Sequence, residues 1–412
     1  MKCDAAANRG AFRSTSSNLD TLRSHCLTYF DETMNNTNVN YGIVESKDYR
    51  FETLNESIRL DNGQDFGPIM IRYETYGHLD ELKSNVILVL HSFSADAHVT
   101  GLYTEQDEHP GWWAKMVGPG RPLDTDRYFI ICSNVLGGCR GTTGPGSIDP
   151  QTGRPYGLTF PVITIHDMVT AQKRLLEHLE IPSLLCVTGG SMGGMQALDW
   201  TVSYPDYVRS AVVLASTPRL SAQGIAFNAV GRNAIMSDPA WNGGDYYDGS
   251  PPARGLATAR MIGHITYLSE ESMRTKFGRR LRTRERYGYD FADLFEIESY
   301  LNHQGDKFVE RFDANSYIYL SKAMDYFDLG NRYGGLTVAL ARTRARFLII
   351  SYTSDWLFPT YQSKEVVFSL MKNDKDVSFT EISCPYGHDS FLIETDRQGE
   401  IVRSFLDTVY GT

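Results

Sequence analysis

Hydrophobic residues are distributed along this chain in two patterns that predict different kinds of strand. Four short segments are apolar almost throughout, at residues 86–91, 128–133, 184–190 and 210–215. Segments with helical periodicity separate them, as at residues 164–180. Strands without polar alternation are typical of a parallel sheet that helices cover on both faces. We therefore predict an α/β fold with a mostly parallel central sheet.

Other segments extend this sheet. Residues 49–54 and 69–76 alternate between polar and apolar side chains, which predicts antiparallel strands at the leading edge of the sheet. The sheet resumes with the apolar run 346–352 and the alternating run 377–383. A segment with helical periodicity at residues 397–410 then predicts a C-terminal helix.

The pattern changes at residues 218–335, where helical periodicity occurs without clear strands. We predict that this segment is an all-helical lid insertion between two strands of the sheet. The α/β core then consists of residues 46–217 and 336–412. Residues 1–45 are polar and rich in Ser, Asn and Thr, a composition that predicts a flexible N-terminal extension.

Composition limits the classes of partner. The 412 residues carry a formal net charge of −10, so we expect no binding to nucleic acid or to anionic membranes. No apolar run is long enough to cross a bilayer, and the N-terminus lacks the apolar core of a signal peptide. The six cysteines have no C-x-x-C spacing, which favours reduced thiols in a cytoplasmic protein. No His, Cys or carboxylate cluster has metal-ligand spacing, so we expect no metal ion.

One motif lies at a predicted strand–turn–helix junction. Ser191 follows the strand 184–190 within the sequence Gly-Gly-Ser-Met-Gly-Gly, and a helical segment follows it. In a G-x-S-x-G motif the serine takes strained backbone angles, and the glycines leave room where strand and helix cross. The hydroxyl then projects from the sheet as a nucleophile. A glycine-rich turn without catalytic function is the alternative that the motif alone leaves open.

A serine nucleophile needs a general base and an acid that orients the base. Asp355 follows the predicted strand 346–352, and His388 follows the predicted strand 377–383. Both residues come after strands in the chain order Ser, Asp, His that is known for this motif. We therefore predict a triad of Ser191, Asp355 and His388. The alternatives are a helix cap for Asp355 and a surface loop for His388.

Acyl transfer also needs hydrogen-bond donors for the oxyanion that forms on the substrate. The backbone N–H of Met192, the residue after the nucleophile, is one predicted donor. The second should come from the loop after an earlier strand. The strand at residues 86–90 leads into the sequence HSFS (91–94), and we choose the N–H of Phe93.

Seven long segments carry a resemblance to a known family: HSFSADAHVTG (91–101), GWWAKMVGPGRPLDTDRYFIICSNVLGGCRGTTGP (111–145), GGSMGGMQALDW (189–200), RLSAQGIAFNAVGR (219–232), ARMIGHITYLS (259–269), TSDWLFP (353–359) and YGHDSFLIE (386–394). Together they resemble the homoserine O-acetyltransferase family of methionine biosynthesis. The resemblance implies the α/β-hydrolase fold. It covers the chain from about residue 46 to the C-terminus.

The resemblance also implies roles for individual residues, beginning with the same triad. The family's substrate-binding arginine matches Arg260, and its substrate-binding acid matches Asp389. A guanidinium suits the carboxylate of an amino acid, and a carboxylate suits its ammonium group. An ordinary ion pair is the alternative for each. Leu357, two residues after Asp355, stands where the family has leucine with acetyl-CoA and arginine with succinyl-CoA.

The implied activity is acetyl transfer from acetyl-CoA to the hydroxyl of L-homoserine through an acyl-serine. Acetyl-CoA is then a co-substrate, and no bound cofactor or metal is expected. The resemblance further suggests a homodimer joined through the helical insertions. The alternatives are a related transferase that uses L-serine or succinyl-CoA, an esterase of the same fold, and a catalytically silent binding protein.

Overall fold

The structure is a computed structural model that describes residues 41–51, 57–283, 285–292 and 295–411. Most of the predicted flexible extension, residues 1–40, lies outside the described residues, so its flexibility stays a prediction. From Lys47 onward the chain builds one central sheet with helices packed on its two faces.

Eight strands form the central sheet. They are β1 (Lys47–Phe51), β2 (Ile69–Tyr76), β3 (Val86–Leu90), β4 (Phe129–Ser133), β5 (Cys186–Gly190), β6 (Ser210–Leu214), β7 (Arg346–Tyr352) and β8 (Val377–Ile382). Their order is β1-β2-β4-β3-β5-β6-β7-β8. β2 pairs antiparallel with β1 and β4, and the other pairings are parallel. The antiparallel strands lie at the leading edge, as the alternating pattern predicts.

Both faces of the sheet are buried at the central strand β3. In β3, Val86, Leu88 and Leu90 belong to the hydrophobic core on one face, and Ile87 and Val89 belong to the core on the other. All five side chains are at most 1 % exposed. Because neither face meets water, the strand has no polar alternation, and this is the pattern that the sequence shows.

Helices and short turns connect the strands. The α-helices are α1 (Ile165–His178), α2 (Met192–Ser203), α3 (Ala222–Met236), α4 (Ala253–Tyr267), α5 (Glu270–Lys276), α6 (Glu296–Val309), α7 (Ala314–Tyr326), α8 (Leu336–Ala341), α9 (Thr360–Met371), α10 (Ser390–Ile393) and α11 (Thr395–Tyr410). Short 3-10 turns lie at Gly157–Thr159, Pro239–Gly244, Asn331–Tyr333 and Gly387–Asp389. Two-residue strands pair Ile58–Arg59 with Asp65–Phe66, and Val117–Gly118 with Leu123–Asp124.

Helix α1 shows how local sequence sets an element boundary. The hydroxyl of Thr164 accepts a hydrogen bond from the N–H of Asp167, and the Asp167 carboxylate accepts one from the N–H of Thr164. This capping box satisfies N–H groups that the start of a helix otherwise leaves without acceptors. On the opposite face of the sheet, α11 contributes Val402, Leu406 and Val409 to the core.

Helices α3 to α7 lie between β6 and β7, in the segment predicted to be a lid. α4 packs against α3 and α6, and α3 packs against α7. Among the described residues of 218–335, the only strand-like pairs are the isolated bridges Arg219–Asp328 and Leu281–Phe295. The helical content agrees with the prediction, while the boundaries of the core and the lid as separate units stay predictions.

A buried chain of side-chain hydrogen bonds links α1, α2 and the end of β3. Trp200 Nε1–H donates to Gln172 Oε1 at 2.8 Å, and Gln172 Nε2–H donates to Gln196 Oε1 at 2.7 Å. Gln196 Nε2–H donates in turn to the carbonyl oxygen of His91 at 3.2 Å. The three side chains are buried, so a group that loses its partner has no solvent to replace it.

We expect Gln172→Leu to destabilise the protein, because it leaves the Trp200 N–H and the Gln196 carbonyl oxygen without partners. Each unpaired buried group costs about 1–3 kcal/mol, which lowers the midpoint of thermal unfolding by several degrees. Gln151→Leu is the control, since Gln151 is exposed. Calorimetry measures both midpoints; equal values would show that the hydrogen-bond chain does not contribute to stability.

Candidate active site

Ser191 lies at the sharp turn between β5 and α2. Its φ of 58° and ψ of −124° are strained for a residue with a side chain, at a cost of about 1–3 kcal/mol. A Cβ on Gly189 or Gly193 would lie 2.5 or 2.0 Å from the carbonyl oxygen of Leu90. The two glycines therefore let α2 begin directly beside β3. The Ser191 side chain caps no N–H of the helix and is free to contact another group.

The three predicted triad residues form one hydrogen-bonded line. Asp355 follows β7, and His388 lies in the turn Gly387–Asp389 after β8. His388 Nδ1 lies 2.8 Å from Asp355 Oδ2, and His388 Nε2 lies 2.9 Å from Ser191 Oγ. An ionised carboxylate can only accept, so Nδ1–H donates to Asp355 and Nε2 accepts the proton of Ser191. This arrangement meets the geometric requirement for a nucleophile, a base and an orienting acid.

Two further hydrogen bonds hold Asp355. Its Oδ1 accepts from the backbone N–H groups of Leu357 at 3.0 Å and Phe358 at 2.9 Å. Asp355 and His388 are only 4 % and 3 % exposed, so water does not compete effectively for these bonds. The carboxylate thus fixes both the orientation of the imidazole ring and the path of the loop that carries Leu357.

Opposing effects act on the charge of His388. Burial lowers the pKa of its imidazole, but the negative charge and hydrogen bond of Asp355, together with the charge of Asp389, outweigh burial. The resulting pKa lies above the ordinary value of 6.5. The imidazolium that forms when Ser191 gives up its proton is therefore stabilised, and His388 acts as a base only above its raised pKa.

The two predicted oxyanion donors lie beside Ser191. Met192 is the first residue of α2, where an N–H has no acceptor within the helix. Phe93 follows β3 and lines the same cavity as Ser191. Within the described part of the chain, neither N–H donates a hydrogen bond. Both N–H groups are therefore free to donate a hydrogen bond to a ligand. Their role as oxyanion donors stays a prediction.

A small cavity lies beside the nucleophile. Its volume is about 50 Å³, enough for a few water-sized groups. Its wall is mostly apolar and includes Leu220, Phe227, Leu357 and Phe358 together with Ser191. The structure thus brings Leu357, the residue singled out for acyl choice, to the space next to the Ser191 hydroxyl.

Arg260 lies on α4 and contacts the loop after β3. Its Nη1–H donates to Ser94 Oγ at 3.1 Å, and its guanidinium carbon lies 4.7 Å from the ring centre of Phe308 and 5.5 Å from that of Tyr267. Among the described residues, no carboxylate lies within ion-pair distance of Arg260, so the ordinary ion pair is not observed there. A guanidinium that stacks on aromatic rings and has donors to spare suits an anionic ligand.

Asp389 directly follows His388, and its carboxyl group interacts electrostatically with the guanidinium of Arg260. Burial raises the pKa of the Asp389 carboxyl to about 6, although the positive charges of His388 and Arg260 act in the opposite direction. The described residues that line the cavity beside Ser191 include neither Arg260 nor Asp389. The charges of the two predicted substrate-binding residues therefore interact, and neither residue is among those that line this cavity. What they bind stays a prediction.

Two further residues near Arg260 were not predicted from the sequence. Tyr267 is seven positions after Arg260 on α4, and its ring centre lies 6.1 Å from that of His388. The helical period places Arg260 and Tyr267 on one face and could have identified the tyrosine. Arg311 follows α6 and donates from Nη1–H to the carbonyl oxygen of Ser94 at 2.9 Å. No sequence motif connects Arg311 to the site, because its position depends on how the lid helices pack.

The described part of the chain shows neither a cluster of metal-ligating side chains nor a membrane-spanning helix. Within residues 41–411, apart from the gaps named above, no group of three or more His, Cys, Asp and Glu side chains could hold a metal ion. In the same part of the chain, no helix has both the length and the apolar character needed to span a membrane.

Comparison with known proteins assigns the chain to a family. A family model described as alpha/beta hydrolase fold matches residues 85–395. The homoserine O-acetyltransferase of Solidesulfovibrio magneticus is 53% identical over 382 residues, which is 92% of this chain and 96% of the relative. The chain belongs to the homoserine O-acetyltransferase family. The predicted α/β-hydrolase fold and the family resemblance are both confirmed.

Solved structures of the homoserine O-acetyltransferase family and of an esterase have the same fold. The crystal structure of homoserine O-acetyltransferase from Bacillus anthracis matches with a TM-score of 0.83 and 32% identity, over 88% of this chain and 98% of that chain. The crystal structure of esterase E22 matches with a TM-score of 0.81 and 32% identity, over 88% and 100%. Since a transferase and an esterase share this fold, the fold alone does not determine the activity, which depends on the residues of the site.

The raised pKa of His388 predicts how the reactivity of Ser191 depends on pH. A neutral serine-directed sulfonyl fluoride should modify Ser191 at a rate that rises with pH, because Nε2 accepts the serine proton only when the imidazole is neutral. The midpoint should lie above pH 6.5. Asp355→Asn removes the charge that raises the pKa and should lower both the midpoint and the limiting rate.

Mass spectrometry of the modified protein measures these rates. Asp206→Asn is the control, since Asp206 forms an exposed ion pair with Arg344 and should not alter the profile. A midpoint that does not change in Asp355→Asn would contradict the assignment of Asp355 as the acid that acts on His388.

Proposed function

We propose that the protein transfers an acetyl group from acetyl-CoA to the hydroxyl of L-homoserine, which gives O-acetyl-L-homoserine for methionine biosynthesis. The observation that carries the proposal is the line Ser191–His388–Asp355, in which a serine hydroxyl meets a buried base. The relative at 53% identity bears the name of this activity. The site thus supplies the nucleophile, and the family supports the choice of acceptor.

The first half-reaction forms an acyl-enzyme. His388 takes the proton of Ser191, whose oxygen attacks the thioester carbon of acetyl-CoA. The N–H groups of Met192 and Phe93 stabilise the oxyanion, and Asp355 stabilises the imidazolium. The intermediate then expels the CoA thiolate, which takes the proton from His388, and acetyl-Ser191 remains.

The second half-reaction transfers the acetyl group to the acceptor. Arg260 binds the carboxylate of homoserine, and Asp389 binds its ammonium group. His388 takes the proton of the homoserine hydroxyl, whose oxygen attacks the carbonyl carbon of acetyl-Ser191. The same N–H groups stabilise the oxyanion. Return of the proton from His388 to Ser191 completes the release of O-acetyl-L-homoserine.

The cavity beside Ser191 supports acetyl as the acyl group. It is about 50 Å³ in volume, and no basic residue is among the described residues that line it. A succinyl group would bring a carboxylate into this apolar space, where a charge without a partner is costly. Arg232, a partly buried arginine of the lid, is already paired with Asp325 at 2.6 Å. Leu357 in the cavity wall is thus suited to the smaller acyl group.

The sequence supports further features of the proposed enzyme: its division into core and lid, its location in the cell and its oligomeric state. We propose a core of residues 46–217 and 336–412, a lid at 218–335 that limits the access of water to the acyl-enzyme, and an extension at 1–45. We further propose that the protein acts in the cytoplasm as a homodimer joined through the lids. The proposed mechanism uses no metal ion or bound cofactor.

Ester hydrolysis is the second candidate activity, because esterase E22 matches this chain with a TM-score of 0.81, close to the 0.83 of the transferase from Bacillus anthracis. A hydrolase passes the acyl group to water and needs no residues that recognise an amino acid. Here Asp389 directly follows His388 and interacts with the charge of Arg260, and the charges of the two residues suit the two charged groups of an amino acid. This pair favours the transferase.

The donor and the acceptor can be tested with purified protein. Acetyl-CoA or succinyl-CoA is supplied with L-homoserine, L-serine or no acceptor, and free CoA and products are measured by mass spectrometry. We expect the fastest release of CoA with acetyl-CoA and L-homoserine. Ser191→Ala should abolish the initial burst of CoA, whereas the exposed Ser404→Ala should retain it. Preference for succinyl-CoA or L-serine would overturn the specificity, and continued release of CoA beyond one equivalent per enzyme without an acceptor would indicate a hydrolase.

The role of Arg260 can be tested separately from the acyl-enzyme. Arg260→Ala should raise KM for L-homoserine about 10- to 100-fold, because a charged hydrogen bond to the carboxylate is lost. The burst of CoA should remain, since acetyl-CoA does not need this contact. Arg254→Ala is the control, because Arg254 is exposed on the same helix. Equal losses in both half-reactions would contradict a role in acceptor binding.

A further inference from the structure

Two arginines from different parts of the lid contact one residue of the loop after β3. Arg260 on α4 donates from Nη1–H to Ser94 Oγ at 3.1 Å, and Arg311, just after α6, donates from Nη1–H to the carbonyl oxygen of Ser94 at 2.9 Å. Their guanidinium carbons lie 4.7 and 5.2 Å from the ring centre of Phe308. The two cations therefore share an aromatic ring and a hydrogen-bonding residue.

This pair of arginines has no direct ion-pair partner among the described residues. Neither guanidinium has a carboxylate within ion-pair distance among them. The charge of Asp96 acts on Arg311, but Asp96 already pairs at 3.7 Å with a third arginine, Arg140. Loss of hydration around the Arg311 guanidinium, followed by the positive charges of Arg260 and Arg140, lowers its pKa to about 10, although the side chain is exposed to solvent. The charge of Asp389 acts on Arg260 and that of Asp96 on Arg311, but neither carboxylate forms a direct ion pair with these two arginines.

Two other arginines of the lid have carboxylate partners in direct contact. Arg232 pairs with Asp325 at 2.6 Å, and Arg280 pairs with Glu296 at 2.7 Å. Two like charges that are held together without a carboxylate partner repel each other, and a bound anion removes this unfavourable term. Arg260 and Arg311 are thus arranged for a ligand and not for an internal ion pair.

The position of the two arginines indicates which anion they bind. Ser94 directly follows Phe93, which lines the cavity beside Ser191, so the pair is bound one residue away from the wall of that cavity. The carboxylate of homoserine is four bonds from the hydroxyl oxygen that is acylated, or roughly 5 Å. The nearest phosphate of acetyl-CoA lies beyond the pantetheine arm, roughly 15 Å from the thioester when extended. The shorter distance favours the carboxylate.

We propose that Arg311 is a second substrate-binding arginine, which together with Arg260 binds the α-carboxylate of the amino-acid acceptor. The inference rests on the proposed function and deepens it, since it concerns how the acceptor is recognised. Ser94 and Phe308 hold both guanidiniums where one carboxylate can accept from each of them. The site thereby selects free amino acids over neutral analogues of the same shape.

The test compares L-homoserine with L-homoserine amide, in which a neutral carboxamide replaces the carboxylate. With acetyl-CoA as donor, Arg311→Gln should lower kcat/KM for L-homoserine about 10- to 100-fold, mainly through KM. The value for the amide should change little, because the amide has no charge for Arg311 to bind. Arg311→Lys should recover part of the loss, since it keeps the charge but not the planar fork.

Arg254→Gln is the matched control. It should leave kcat/KM unchanged for both acceptors, because Arg254 is exposed on α4. If Arg311→Gln lowers the rates with both acceptors equally, together with the midpoint of thermal unfolding, its role is structural and the proposal is wrong. If it slows the burst of CoA or raises KM for acetyl-CoA alone, Arg311 binds a phosphate of the donor instead, and the proposal is also wrong.

Binding measured without turnover separates this inference from the proposed function. Ser191→Ala cannot form an acyl-enzyme, so calorimetry can measure its affinity for L-homoserine and for the amide directly. The double variant Ser191→Ala with Arg311→Gln should bind L-homoserine more weakly than Ser191→Ala alone and should bind the amide with unchanged affinity. This result would support the carboxylate site even if the wild-type protein transferred no acetyl group to homoserine. Unchanged affinity for L-homoserine would overturn the proposal whatever the activity.

Discussion

The close crossing of α2 over β3 and β5 is the constraint on which the site depends. Gly189 and Gly193 approach the carbonyl oxygen of Leu90 so closely that a side chain at either position would push the helix away. β6 holds the turn from its other side, because the Ser191 N–H donates to the Leu214 carbonyl oxygen at 3.0 Å. The strained conformation of Ser191 persists because its neighbours on both sides fix it. The contact with His388 follows from this turn.

Charge is distributed unevenly around the turn. Asp355 and Asp389 bring negative charge to His388, whereas Arg260 and Arg311 bring positive charge to Ser94. The cavity beside Ser191 is mostly apolar. These three regions match the three parts of the proposed reactants: the ammonium group, the carboxylate and the methyl group of the acyl chain.

The sequence predicts those features that depend on periodicity or on position after a strand. The parallel strands are recognisable because both faces of β3 are buried, and the triad because Asp355 and His388 each follow a strand. The contact between Ser94 and Arg311 has no such signal, since it joins distant segments through the packing of the lid. Buried glutamines such as Gln172 likewise look like surface residues in sequence. The roles of the site residues and the domain boundaries stay predictions.

The two oxygens of Asp355 have separate partners, and this division limits how the site can diversify. Oδ2 orients His388, while Oδ1 fixes the backbone at Leu357 and Phe358. A mutation that moved this loop to admit a larger acyl group would also rotate the imidazole away from Ser191. With Leu357 in the role proposed for it, donor preference can change by exchange of the side chain at position 357, but not by a change of its backbone. On this proposal, single substitutions at position 357 can change the acyl group that is used while the triad keeps its geometry.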